Sequence, residues 1–447
     1  MSRVLMVSSE GVGENISGPA IRAIELSRVL AVTHDVTLAV PNEASVDVGV
    51  PLATYRHETL HEVAAGFDVV FVAGLSLALA PGLARLNVPI ILDIYPFTLE
   101  NLELHASEPM DKRVRDSEGL LRAVWTQFAR ADFLISVSEK QRDLWLGLLH
   151  AMGRLNPYNY EADSMLRALI DVVPFGLPAD PPKQLAHRIK GARPGIGPGD
   201  FVAYFGSGLY DWLDPVTAVR AAGLAAARNP RIRLFFPTTE HPNPSVRPMA
   251  TLAETRRVSA ELGLTDRIVF FNNRLSYASR ADFLLDSDVG LSLHKNHLET
   301  VFAFRTRVLD YFWAGLPVIG TAGDVLAGVI ESRDLGAVVP VGDAEAVAQA
   351  LLRLAGHGRP REHYASRIAE VAEGLKWPRV AGPIDTFCRS PRWAPDRAAG
   401  YRFVPLGAAR EGKPGRLGKA LASLQRGGPA QLWTDIRSHV ARRRHSA

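Results

Sequence analysis

A cluster of charged side chains follows a short apolar run in the second half of the chain. Residues 289–293 are apolar and few, as expected for a buried strand of a parallel sheet. Arginine binds phosphate oxygens through paired hydrogen bonds, and a carboxylate accepts hydrogen bonds from adjacent sugar hydroxyls. The cluster therefore predicts a site for a ligand with phosphate and hydroxyl groups, although an ordinary helix ion pair is the alternative for Arg307 and Asp310. Its members are His294, Lys295, Glu299, Arg305, Arg307 and Asp310.

The residues that follow predict the elements that would position this cluster. Leu309, Phe312 and Trp313 share one apolar face of a helix, and Gly315 and Pro317 mark its end. An apolar run then predicts a second strand, so the segment forms a strand–helix–strand unit. Ligands of open parallel sheets bind beyond the carboxyl ends of the strands, which is where the cluster falls.

Short apolar runs alternate with helical patterns along most of the chain, which is typical of α/β folds with parallel sheets. The 447 residues suit two domains, and the proline- and glycine-rich residues 177–200 predict the boundary between them. Further strands are predicted over residues 3–8, 35–40, 68–73, 89–93, 131–137, 171–173, 201–205, 232–236, 267–271 and 337–341.

Glycine-rich loops follow the first predicted strand of each domain. In the first domain, Gly18 directly precedes a helix that begins near Pro19, where backbone N–H groups would face a phosphate. A flexible connection is the alternative, because this loop lacks the glycine spacing of the dinucleotide-binding fingerprint. In the second domain, Gly206, Ser207 and Gly208 follow the strand directly, and glycines there let the backbone approach a ligand closely.

The basic charge of the chain is concentrated near its end. The net charge is +4, yet residues 391–447 hold twelve Lys and Arg against three acidic residues. Amphipathic patterns within residues 411–447 predict binding to an anionic membrane surface, with a terminal helix packed on the protein as the alternative. No nucleic-acid partner is expected, because the excess charge is confined to the tail, no aromatic–basic interleaving appears and no nucleic-acid motif is present. A single cysteine and the lack of a long apolar run predict a cytoplasmic protein, peripheral at the inner membrane face if the tail binds there.

The charged cluster resembles the donor-binding segment of GT-B glycosyltransferases of the GT4 type. That family places a Glu after a strand and a second acid on the next helix, five residues before a Gly-x-Pro. Asp310 lies five residues before Gly315, and Glu299 stands where the first acid is expected. Here eleven positions rather than eight separate the acids, and the second is Asp rather than Glu. A bacterial polysaccharide-cluster branch of the family is more similar, through residues 294–300, 304–311 and 321–324.

The resemblance implies roles for individual residues. Asp310 would hold the ribose hydroxyls of a nucleotide sugar, and Glu299 would hold hydroxyls of the transferred sugar. Gly18 and Arg22 would cover the donor diphosphate from the opposite domain. His241 lies in the loop expected near the nucleobase, with a buried loop anchor as the alternative.

The Arg and Lys that common GT4 enzymes direct at the diphosphate are missing after the strand at residues 201–205. A partly desolvated diphosphate needs positive partners. The expected substitutes are Arg274, Lys295, Arg305 and Arg307. The catalytic candidates are Glu299, Asp93 and His294. Asp93 and Glu100 follow a strand of the first half and are candidates for the acceptor side, with helix caps and surface charge as the alternative.

The resemblance implies an α/β fold of the GT-B class, with two Rossmann-like parallel-sheet domains facing a central cleft and a basic helical C-terminal tail. Residues 1–185 would form the acceptor-side domain, completed by a returning helix at about 375–395. Residues 200–374 would bind the nucleotide sugar, and residues 396–447 would form the tail.

The expected activity is transfer of a sugar from a nucleotide-sugar donor to a hydroxyl acceptor, with retention of configuration, in cell-surface polysaccharide or glycoconjugate biosynthesis. The acceptor would be lipid-linked or a small molecule, and no metal or other cofactor is expected. Two alternatives stay open: a nucleotide-sugar epimerase, and a non-catalytic nucleotide-sugar-binding subunit of an assembly complex.

Overall fold

A computed structural model of the chain describes residues 1–403, except residues 14–15, 45, 96, 105–107, 207, 239–248, 274, 277–278 and 357–359. Three predicted site residues, Ser207, His241 and Arg274, lie outside the described residues, as does the tail from residue 404 on. Both sheets belong to one compact unit, Met1–Gly400.

The first half of the chain forms a seven-stranded parallel sheet in the order β3-β2-β1-β4-β5-β6-β7. The strands are β1 (Arg3–Val7), β2 (Asp35–Val40), β3 (Leu52–Thr54), β4 (Val69–Ala73), β5 (Ile90–Asp93), β6 (Phe133–Ser136) and β7 (Ile170–Val172). The helices are α1 (Gly18–Leu30), α2 (Leu60–Ala64), α3 (Ser76–Leu79), α4 (Phe97–Leu104), α5 (Met110–Arg130), α6 (Glu139–Ala151) and α7 (Pro157–Ala162), with a 3-10 helix at Pro81–Arg85. The sequence does not predict β3, because this edge strand has three residues and none is fully buried.

The second half forms a six-stranded parallel sheet in the order β10-β9-β8-β11-β12-β13. The strands are β8 (Phe201–Tyr204), β9 (Ile232–Phe236), β10 (Val269–Phe271), β11 (Val289–Ser292), β12 (Val318–Thr321) and β13 (Gly336–Val339). The helices are α8 (Pro215–Arg228), α9 (Ala250–Glu261), α10 (Arg280–Leu285), α11 (Leu298–Phe302), α12 (Arg307–Trp313), α13 (Val325–Ser332), α14 (Ala344–Gly356) and α15 (Pro360–Gly374). The predicted α/β class with two Rossmann-like parallel sheets is confirmed.

The strand order of each sheet reverses beside its first strand. β1 lies between β2 and β4, and β8 lies between β9 and β11. Ligands of open parallel sheets bind at the carboxyl ends of the strands where the order reverses. The loops after β1 and β8 are the two glycine-rich loops, so the fold places both at such a point.

The chain returns to the first sheet after α15. The last described helices are α16 (Trp377–Val380), α17 (Gly382–Arg389) and α18 (Pro395–Ala398). Trp377, Ile384 and Phe387 are buried in the core beside the first sheet. The two crossing segments pair, because Leu177 N donates to Leu375 O (2.8 Å) and Trp377 N donates to Leu177 O (3.0 Å). A Cβ at Gly176 would overlap the indole of Trp377, so this crossing requires glycine.

Within the described residues, no helix combines the length and the hydropathy that a membrane span requires.

Candidate active site

A cavity of about 310 Å³ is lined by residues from both halves of the chain. Residues 175–178, where the chain crosses between the halves, form part of its wall. The predicted donor-site residues that line it are Gly18, Gly206, Gly208, Arg307 and Asp310. The fold therefore brings together two glycine-rich loops and the charged helix α12, although these lie far apart in the sequence.

The loop after β8 is packed closely against α12. Gly206 N donates to the hydroxyl of Tyr311 (2.8 Å), and this hydroxyl donates to Leu291 O (2.8 Å). A Cβ at Gly206 would lie 2.6 Å from the ring of Tyr204 and 3.0 Å from the Tyr311 hydroxyl. Only glycine fits at this position, and Gly206 lines the cavity.

Arg307, the first residue of α12, lines the cavity. Its Nε and Nη1 atoms are buried and have no hydrogen-bond partner in the described part of the protein. Burial lowers the pKa of the Arg307 guanidinium to about 10, and nearby Arg305 acts in the same direction. A buried cation with unpaired donors is costly. An anion bound in the cavity would remove that cost.

Asp310 lies one turn along α12 from Arg307 and also lines the cavity. Its side chain is 41% exposed, so a ligand can reach the carboxylate. Arg280 Nε lies 3.4 Å from Asp310 Oδ1. The Arg280 guanidinium also lies 4.6 Å from the ring centroid of Trp313, a cation–π distance that holds it in place.

Arg280 also lines the cavity, and the sequence analysis missed it. It is the first residue of α10, thirty positions before Asp310, and belongs to no pattern that marks a ligand site. Only the packing of α10 beside α12 shows that the two arginines, Arg280 and Arg307, share one cavity.

Glu299 and Arg305 form a buried ion pair with each other. Arg305 Nη1 lies 2.9 Å from Glu299 Oε1, and Nη2 lies 2.6 Å from Oε2. Both side chains are buried, and neither lines the cavity. Arg305 thus has a partner within the protein, and its diphosphate contact stays a prediction. Glu299 lies on α11, a short helix within what the sequence analysis treats as a loop.

Arg22 and Asp93 form a second buried ion pair, in the first half. Arg22 Nε lies 2.7 Å from Asp93 Oδ2, and Nη2 lies 3.2 Å from Oδ1. Arg22 also donates to the carbonyls of Pro174 and Val173, each at 2.8 Å. Both side chains are 1% exposed. Neither residue lines the cavity, and the phosphate contact of Arg22 and the catalytic role of Asp93 stay predictions.

His294 is fully buried beside the loop after β8. Its Nδ1 lies 3.2 Å from Lys295 O, and its Nε2 lies 3.2 Å from Thr321 O. The neighbouring backbone pairs with that loop, because Lys295 N donates to Trp212 O (3.1 Å). His294 thus connects two loops and does not line the cavity, and its catalytic role stays a prediction. The Lys295 side chain is exposed and does not line the cavity.

The sequence matches no protein-family model. Over 82 residues the chain is 32% identical to a phosphatidyl-myo-inositol mannosyltransferase of Mycobacterium leprae (strain TN). The match covers 18% of this chain and 22% of that protein, so the chain spans about a fifth of this curated relative.

Solved structures match over most of the chain. A sucrose-phosphate synthase from Thermosynechococcus elongatus has a TM-score of 0.56 at 15% identity, covering 87% of this chain and 98% of that one. HepE of Anabaena, in complex with UDP-glucose, has a TM-score of 0.60 at 13% identity, covering 87% and 100%. WaaG, a glycosyltransferase involved in lipopolysaccharide biosynthesis, has a TM-score of 0.57 at 14% identity, with the same coverage. The chain has the GT-B fold, as the sequence analysis predicts.

Proposed function

We propose that the protein is a glycosyltransferase of the GT4 type. It would move a sugar from a nucleotide-sugar donor to a hydroxyl acceptor, with retention, in cell-surface polysaccharide or glycoconjugate biosynthesis. The GT-B fold supports this proposal, as does the sequence match to a mannosyltransferase. Nucleotide sugars as donors are supported by the HepE structure, which has the same fold and holds UDP-glucose.

The observation that carries the proposal is Arg307, which lines the cavity and whose Nε and Nη1 atoms are buried without a hydrogen-bond acceptor among the described residues. The site has no Arg and Lys in the loop after β8, where common GT4 enzymes place them. Arg307 on α12 and Arg280 on α10 supply positive charge to the same cavity from another side. In this proposal these two arginines neutralise the diphosphate in place of the missing Arg and Lys.

The chemistry follows from where charge develops. As the bond between the sugar and the donor phosphate breaks, negative charge builds on the leaving diphosphate. Cations and N–H groups already held in place stabilise that charge without reorganising. Arg307 would do so from one side, and the helix start at Gly18 from the other. Asp310 would accept hydrogen bonds from the ribose hydroxyls.

The partners beyond the donor are proposed from the sequence. The acceptor would be a lipid-linked or small-molecule hydroxyl compound, and no metal would take part. The protein would act in the cytoplasm, and the basic tail would hold it at the inner membrane face.

Isothermal titration with UDP and UDP-glucose tests the donor site. Asp310→Ala and Arg307→Met should each weaken binding by about tenfold or more, since each removes a charged contact to the ligand. Arg228→Met is the matched control, because Arg228 lies in the same half and its side chain is 59% exposed on α8. Equal affinity for all four proteins would reject the proposed donor site.

An assay without acceptor separates the alternatives. Nucleotide sugars are incubated with the protein and their products are identified by mass spectrometry and chromatography. An epimerase would convert the donor alone into an isomer of equal mass. A non-catalytic subunit would bind the donor without converting it, with or without acceptor. A glycosyltransferase would transfer the sugar when a suitable hydroxyl acceptor is added.

A further inference from the structure

The linker between the two halves, residues 177–190, is attached to both helices that carry the charged groups of the cavity. Its first two residues form part of the cavity wall. Three residues into the linker, Asp180 O accepts a hydrogen bond of 2.8 Å from the indole nitrogen of Trp313. Trp313 is the last residue of α12, the helix that also carries Arg307 and Asp310. This hydrogen bond therefore ties α12 to the linker.

Two carboxylates on α10 hold the next part of the linker. Asp282 Oδ1 accepts hydrogen bonds from the backbone N–H groups of residues 185 and 186, at 2.6 and 3.2 Å. Asp286 Oδ2 accepts them from the N–H groups of residues 188 and 189, at 2.5 and 2.8 Å. The two carboxylate side chains are only 4% and 1% exposed, so water competes little for these bonds. Because α10 begins at Arg280, the linker fixes the end of α10 that lines the cavity.

The side chain of Trp313 joins these two attachments. The Arg280 guanidinium lies 4.6 Å from the centroid of its ring, a distance at which a cation is attracted to an aromatic face. Arg280 Nε also lies 3.4 Å from Asp310 Oδ1. That contact is longer than the usual N–H···O range of about 2.7–3.2 Å, so it fixes the guanidinium only weakly. The face of Trp313 thus restricts where the Arg280 side chain can lie.

We infer that Trp313 is a positioning residue of the proposed donor site: one edge of its indole binds the linker, and its face holds Arg280 where the guanidinium reaches the diphosphate. The inference rests on the proposed function, in which Arg280 and Arg307 neutralise that diphosphate. Trp313 itself does not line the cavity, so it acts on the donor through Arg280.

A second cavity beside the linker leaves room for this contact to open. It has a volume of about 240 Å³ and is lined by Trp313 and by residues 177–181 of the linker. A shift of the linker that breaks the bond between Trp313 and Asp180 would leave the indole, and with it Arg280, without a fixed position. Attachment of the linker and binding of the diphosphate should therefore strengthen each other.

The first test compares ligands with and without the diphosphate. UDP affinity is measured by isothermal titration, and uridine affinity by competition with UDP. Trp313→Leu and Arg280→Met should each weaken UDP binding by about five- to tenfold and change uridine binding by less than about twofold, since uridine carries no phosphate. Trp313→Phe keeps an aromatic face and loses the N–H donor, so its UDP affinity should fall between those of the wild type and Trp313→Leu.

Trp125→Leu is the matched control, because Trp125 lies on a helix of the other half, is 45% exposed and does not line the cavity. Its affinities should equal those of the wild type. If Trp313 acts through Arg280, the double variant Trp313→Leu/Arg280→Met should bind UDP no more weakly than Arg280→Met alone. Losses that multiply, or equal losses for UDP and uridine, would show that Trp313 only supports the fold and would overturn the inference.

Hydrogen exchange of the linker amides provides a measurement on the linker itself. UDP should slow exchange over residues 179–190 in the wild type, and less so in Trp313→Leu; equal slowing in both proteins would contradict the coupling. The two proposals fail in different ways. A wild type that binds neither UDP nor uridine removes the donor site and the inference together, whereas a wild type and a Trp313→Leu protein that bind UDP equally well remove the inference alone.

Discussion

The buried pair of Arg22 and Asp93 provides the sharpest prediction about stability. In Asp93→Ala, Arg22 loses a carboxylate that it contacts at 2.7 and 3.2 Å, and its charge stays 1% exposed. Breaking a buried ion pair by removing one partner costs about 3–5 kcal/mol. Arg22 keeps two carbonyl acceptors, on Val173 and Pro174. We therefore expect a loss near the lower end, about 3 kcal/mol.

Urea unfolding followed by circular dichroism measures this loss. Glu25→Ala is the matched control, because Glu25 pairs with Arg28 on the same helix, α1, where the Arg28 side chain is 45% exposed. An exposed pair is worth about 0–1 kcal/mol. Adding Arg22→Met to Asp93→Ala should recover part of the stability, because the unpaired buried charge is then gone.

The outcome that refutes this reasoning is specific. In that outcome, Asp93→Ala unfolds at the same urea concentration as Glu25→Ala, and the Asp93→Ala protein loses its turnover. Asp93 would then act on the substrate, as the sequence analysis expects, and the buried pair would contribute little to stability.

Three further predictions concern pH, the crossing segments and the tail. Burial raises the pKa of Glu100 from 4.5 to about 7 in the folded protein, so the contribution of Glu100 to stability is fully present below about pH 4.5 and is lost as the pH rises through about 7. After allowance for partial solvent exposure, Glu100→Gln should gain about 1–3 kcal/mol at about pH 8 and almost none at about pH 4.5, as measured by urea midpoints. Gly176→Ala should lower the melting temperature and weaken UDP binding, because the added Cβ would push Trp377 away from the crossing segments; an unchanged melting curve would contradict the packing described. Deleting residues 411–447 should release the protein from anionic vesicles in a flotation assay while soluble UDP-glucose hydrolysis continues, and equal flotation of both forms would count against a membrane role for the tail.

The local elements of the site were predictable from the sequence. The apolar run of β11, the apolar face of α12 and the stop at Gly315 are patterns within a few residues of each other. Such patterns report which faces must be buried and where a helix must end. Asp310 and Arg307 were therefore assigned to one helix beyond one strand, and the structure places both on the cavity.

The partners of the charged side chains were not predictable in the same way. The charged and histidine candidates look alike in the sequence, yet two of them, Arg22 and Asp93, pair with each other across 71 positions. Glu299 and Arg305 pair across a turn between α11 and α12. Arg280 reaches the cavity from a helix with no ligand-site pattern.

The sequence by itself determined that the chain forms two parallel α/β sheets and that α12 carries charge at a strand end. Both follow from short-range hydrophobic patterning, because each element must bury its own apolar face. Only the tertiary structure decided which arginine is neutralised inside the protein and which, Arg307, lines the cavity with two buried donor atoms that have no acceptor among the described residues. That choice depends on which side chains the sheets and crossing segments bring within hydrogen-bonding distance, and no local pattern encodes it.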